Sequence, residues 1–174
     1  MNRRSLVLGL FARQLNLGTD PVALVDSDLG RLRIQKAIYL AQRCGIDFGY
    51  RYSWYKKGPY CPTLTADYYD LRNSVAWGED LPAATQLRFS DEGLPLRLST
   101  LFQPAQAYLP GEPEEKRKAY WLELLASLDY LTAVERLGMD QSIARLRESK
   151  QHLLDGGEAD SIALAREALR AAAL

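Results

Sequence analysis

Apolar positions change period along this chain, and each change predicts an element. In residues 30–44, "GRLRIQKAIYLAQRC", the residues Ile34, Ala37, Ile38 and Ala41 recur at i, i+3, i+4 and i+7, which predicts a helix that Gly45 stops. Before it, residues 5–16 predict a first helix ended by "NLG", then a turn at "TDP" and a short helical segment reaching Asp28. The period then falls to two. Phe48, Tyr50, Tyr52 and Trp54 alternate with Gly49, Arg51, Ser53 and Tyr55, the pattern of a strand with one face inward. Pro62 suits the first turn of a following helix, with Leu64, Tyr68, Leu71 and Val75 on its buried face and Asp67 and Asp70 on a more exposed one. Residues 86–89 read as a second strand able to pair with residues 49–55, and Ser90 with Asp91 and Glu92 as a helix start.

After "PGEPEEKR", which reads as a linker running into an acidic first turn, the chain is helical throughout. Trp121, Leu124, Leu125, Leu128 and Leu131 mark one face of a long helix to about Leu137. Asp140 opens a second helix that "DGG" closes, and Asp160 opens a third. The expectation is a mainly α fold with a small two-stranded antiparallel β element and a C-terminal helical bundle. Residues 1–110 would form the core and 111–174 a helical segment packed on it, within one domain.

Composition excludes several functions. With 174 residues, 47% apolar and 25% charged, the chain is of ordinary globular make-up. Its net charge is zero, weak electrostatics for a general nucleic-acid binder, although residues 1–60 hold ten basic against four acidic side chains. Cys44 and Cys61 lack metal-ligand spacing and read as reduced thiols, and His152, the sole histidine, reads as a cation near a helix C-terminus. The apolar run at 6–12 is too short for an export signal and no stretch is long enough to span a membrane, so a cytoplasmic protein is expected. No phosphate-cradling glycine loop is present, and the carboxylates of Asp67 and Asp70 have no histidine or metal ligand beside them. No enzyme activity, metal or cofactor is expected.

Two binding readings remain. Tyr55, Lys56, Lys57, Tyr60 and Asp67 gather around one turn, and tyrosine combines a large rigid surface with a polar tip, as protein-binding hot spots do. Gly58 and Pro59 would then set a rigid turn between strand and helix. Alternatively, Arg33, Lys36 and Arg43 form a solvated basic stripe that, with Arg51, contacts phosphates. In that reading, "LRFSDEG" resembles the wing of a winged-helix regulator.

The segments "RIQKAIYLAQ" at 33–42 and "FGYRYSWYKKGPYCPTLTADYYDL" at 48–71 resemble the SocA-like antitoxin (Panacea) superfamily and its YwgA-like branch. Gln35, Lys36, Tyr39, Tyr55, Gly58, Pro59, Leu64, Asp67 and Leu71 stand at the matching positions, with Arg33 where the pattern has lysine. "WLELLASLDYL" and "ADSIALAREAL" resemble the YwgA-like C-terminal region more loosely. The resemblance implies a mainly helical bacterial or phage protein without enzyme activity. It also implies a protein partner, such as a cognate toxin, that is bound directly.

Overall fold

The stripe of Ile34, Ala37, Ile38 and Ala41 lies fully inside the protein, on a helix α3 spanning Asp28–Arg43. Ser27 caps it, its hydroxyl accepting from the Gly30 N–H at 2.9 Å. The computed structural model describes residues 1–18 and 20–174. Upstream, α1 (Arg3–Gln14) starts at an Asn2 cap, and α2 (Pro21–Asp26) starts at Asp20 with proline in its first turn. The predicted turn begins at Thr19, which lies outside the described residues; Asp20 and Pro21 serve the helix start. Beyond α3 come a hairpin of β1 (Ser53–Tyr55) and β2 (Gly58–Tyr60), then α4 (Pro62–Ala76) and α5 (Leu94–Phe102). The chain closes with α6 (Glu114–Asp129), α7 (Met139–Ser149) and α8 (Glu158–Ala171).

Among the described residues the fold is thus mainly α, eight helices with one two-stranded antiparallel sheet. The sheet is not the one expected. Residues 86–89 form no strand. Instead Leu87 exchanges backbone hydrogen bonds with the Gln14 amide side chain, at 3.0 and 3.3 Å. β1 pairs with β2 directly, Ser53 opposite Tyr60 and Tyr55 opposite Gly58, because a two-residue turn brings the neighbouring segment back at once. Without a strand at 86–89 there is no wing.

Helix α6 sets the architecture. The five apolar residues predicted to line one face are buried, but so is every residue from 121 to 131. α3 and the hairpin cover it from one side, α5, α7 and α8 from others. A helix enclosed all round must satisfy its own polar side chains internally. Glu123, Ser127 and Asp129 are enclosed with it; Glu123 and Asp129 find partners there and organise the site below, whereas the Ser127 hydroxyl has none. The α-helix stops at Asp129 and opens into one π-helical turn, Tyr130–Val134, closed by the Glu135 N–H on the Tyr130 carbonyl at 2.9 Å. None of the described helices is long and apolar enough to cross a membrane.

Candidate functional site

The period-two pattern survives although only its last three residues are paired as strand. Tyr50 is buried and Phe48, Tyr52 and Trp54 are half-buried, while Gly49, Arg51, Ser53 and Tyr55 face out. Phe48 meets Phe11 edge-on at 5.1 Å, and Tyr52 meets Tyr39 of α3 edge-on at 5.2 Å. The turn itself is Lys56 and Lys57, neither with positive φ, followed by Gly58 at φ +80°. That is the arrangement of a tight turn closed by a left-handed residue. Gly58 and Pro59 are accordingly not a turn between strand and helix, as expected, but the start of β2. A second constraint also selects glycine. A Cβ on residue 58 would stand less than 3.0 Å from the Ser127 hydroxyl of α6.

Beneath the hairpin lies a set of buried polar groups. Lys36 of α3 is 1% exposed and its ammonium donates to the Pro59 carbonyl at 2.6 Å. Lys150, just past α7, is 0% exposed and donates to the Lys56 carbonyl at 2.6 Å and to Glu123 Oε1 at 2.9 Å. Its Nζ also stands 5.4 Å from the centre of the Trp54 ring. The hairpin is thereby held from below at two carbonyls by ammonium groups from α3 and from just past α7. Two buried ammoniums face one carboxylate, and the balance shows in their acidities. Burial, then repulsion from Lys150 and Lys57 against the pull of Glu123, brings the Lys36 amine down to about 7. Burial likewise lowers Lys150. For Glu123, burial would raise the acid, but His152, Lys150 and Lys36 together outweigh it and hold the carboxylate low. His152 Nε2 stands 3.6 Å from Glu123 Oε2, beyond hydrogen-bond reach, and its ring packs edge-on against Tyr120.

The basic stripe is dismantled by the same packing. Arg33 is 6% exposed and paired with Glu115, Lys36 is internal, and Arg43 binds Asp129 through Nε at 2.8 Å. Of the four residues expected to contact phosphates, Arg51 alone is exposed without an ionic partner among the described residues. The sequence positions fit a solvated face, but α6 covers that side of α3. Asp67 is also corrected. It is 8% exposed and accepts a hydrogen bond from the buried Tyr50 hydroxyl at 2.9 Å, so it joins the segment leading into β1 to α4 and lies inside the fold, away from the exposed contact residues. Asp129 does the same work between α3 and α6, taking the Tyr39 hydroxyl at 2.5 Å beside Arg43. Burial first, then Asp129, pushes the Tyr39 phenol far up, as burial and Asp67 do for Tyr50.

What remains outside is a small open cavity of about 260 Å³ between the hairpin, α3 and α4. Tyr55, Lys56, Lys57 and Tyr60 line it together, so four of the five predicted contact residues converge. Tyr55 is 57% exposed and its ring lies 5.5 Å from that of Tyr60, a diagonal cross-strand pair. The Tyr60 hydroxyl is fixed by the Thr65 hydroxyl at 2.8 Å, and Tyr68, Arg31, Asp28 and Lys36 also stand in the wall. A larger concavity, about 470 Å³, opens beside α2 and α6, but its Arg33, Glu115 and Lys118 are already paired among themselves or with Glu114. No group of three metal-binding side chains occurs among the described residues, and both cysteines are free.

The chain matches no family model, no curated protein and no solved structure. Geometry therefore has to assign the roles. Of the residues quoted for the resemblance, Gln35, Tyr39, Gly58, Pro59 and Asp67 hold the fold together, and Lys36 both props the Pro59 carbonyl and lines the cavity. Gln35, for example, accepts from the Cys61 N–H at 3.0 Å and donates to the Cys61 carbonyl at 2.9 Å. Tyr55 is the residue of that pattern left exposed. Sequence reading missed Glu123, Ser127 and Lys150. Glu123 carried a signal, since a carboxylate inside the apolar run "WLELLASLDYL" needs a buried cation. Lys150 carried none.

Proposed function

We propose that this chain is a non-enzymatic protein-binding module of the antitoxin type, acting in the cytoplasm on a bacterial or phage partner protein. The observation that carries the reading is the exposed Tyr55–Tyr60 pair and the two lysines of the turn, standing on a fully braced hairpin. Aromatic surface that is already ordered loses little conformational freedom when a partner covers it. The resemblance of residues 33–42 and 48–71 to the SocA-like antitoxins points the same way. The nucleic-acid alternative loses its support, because three of its four basic contacts are buried or paired.

The test is co-expression with the product of the adjacent gene, followed by co-purification. Rescue of growth and a stable complex are the expected results. Tyr55→Ala should weaken that complex by about 2 kcal/mol, roughly thirtyfold, without changing the unfolding midpoint. A neighbour that is not toxic, together with no co-purifying protein, overturns the proposal.

A further inference from the structure

The cavity beside the hairpin is short of negative charge. Lys36 lies at its floor and Lys56 and Lys57 stand at its rim, the one carboxylate in its wall is Asp28, and Glu123 faces Lys36 and Lys150 from inside the protein. Arg31, in the wall, is already matched by Asp28. Neither rim lysine has an acidic partner among the described residues. The Lys36 ammonium has three protons to donate and one acceptor, the Pro59 carbonyl. A buried amine of this kind either gives up its proton or keeps it beside an anion. The space, about 260 Å³, falls below the roughly 300–1,000 Å³ of pockets for drug-sized molecules, and suits one side chain.

We propose that this cavity is an anchor site for an acidic side chain of the partner protein, a Glu or Asp whose carboxylate settles beside Lys36 and Lys57 with its stem against Tyr55, Tyr60 and Tyr68. The inference rests on the reading of the hairpin as the docking face and names the chemistry that face selects. A carboxylate there favours the charged form of Lys36, so binding takes up a proton and weakens as pH rises through about 7. The groups facing Lys36 are Glu123 and Ser127 from α6, Lys150 from the end of α7 and Lys57 from the turn. His152 reaches Glu123 from the far side. It therefore needs its own control.

The experiment is fluorescence anisotropy on the full chain with a fluorescein-labelled Glu-Gly-Ser repeat peptide. The corresponding Gln and Lys repeats and a labelled DNA duplex serve as comparisons. The Glu repeat is expected to bind, and the Gln and Lys repeats at least about tenfold more weakly. Lys57→Glu, at an exposed site, should weaken the Glu repeat by about tenfold or more. Lys36→Met should abolish the fall in affinity across pH 7, and His152→Gln should leave it. A Glu repeat that binds no better than the Gln repeat, or indifferently to Lys57→Glu, overturns the anchor, as does tighter binding of the duplex. A co-purified partner lost to Tyr55→Ala but kept by Lys57→Glu and Lys36→Met would leave the docking face standing and remove the acidic anchor alone.

Discussion

Gly58→Ala measures how firmly the hairpin is pressed against α6. At φ +80° an L residue is disfavoured by about 1–2 kcal/mol. The added Cβ would also crowd the Ser127 hydroxyl at less than 3.0 Å, in a helix whose neighbours leave it no room to move away. Overpacking of that sort costs about 1–3 kcal/mol, so the total expected loss is about 2–5 kcal/mol. The two contributions can be separated. Ser127 Oγ is buried without a hydrogen-bond partner, so Ser127→Ala alone should be close to neutral. Its Cβ would be 3.5 Å from the new one, an ordinary contact. In the Ser127→Ala background, Gly58→Ala should therefore cost only the backbone part, about 1–2 kcal/mol. Urea unfolding of the four proteins, with unchanged slope, gives the coupling directly. Additivity within about 0.5 kcal/mol would refute the clamp and leave the glycine explained by backbone conformation alone.

Two further perturbations address the buried charges. Lys36 falls from 10.5 to about 7 on folding, so between those values the unfolded chain binds the extra proton and stability rises with pH. From about pH 7 to about pH 8.5 this group should add roughly 1–2 kcal/mol, and urea midpoints of Lys36→Met should lack that rise. Glu123→Gln leaves both buried ammoniums without their carboxylate and is expected to cost about 3–5 kcal/mol. Combining it with Lys150→Met should restore much of that loss in the thermal midpoint, and no restoration would mean that the pair does not act as a unit.

The apolar stripe of α3, the outward alternation from Gly49 to Tyr55 and the Pro62 helix start were readable because each depends on neighbours in the chain. The hairpin was readable too, in "YKKGPY", where a two-residue turn precedes a glycine, yet the strand-like look of residues 86–89 drew the pairing elsewhere. Leu87 is instead bound by one side chain of α1, which no local pattern encodes. The site divided in the same way. Tyr55, Lys56, Lys57 and Tyr60 are close in sequence and met in space. Arg33, Lys36, Arg43 and Asp67 have helical spacings that fit a solvated face equally well, and the burial of Arg33, Lys36 and Asp67 and the pairing of Arg43 follow from α6 and the hairpin. Periodicity cannot tell a charge facing water from a charge facing a distant opposite charge.

Helix α6 carries a consequence for synthesis. The wall that seats α3, the hairpin and the buried lysines begins at residue 114, so a growing chain displays the whole hairpin sequence well before anything can support it. Contacts that join residues so far apart in sequence form late and leave the earlier segments exposed until they do. A chain ended prematurely, after residue 110 for instance, contains Tyr55, Lys56, Lys57 and Tyr60 yet lacks the Lys150 and Glu123 that fix them. Such a fragment is expected to be cleared by proteases. Only a ribosome that has translated past Lys150 releases a chain that holds both groups bracing the turn.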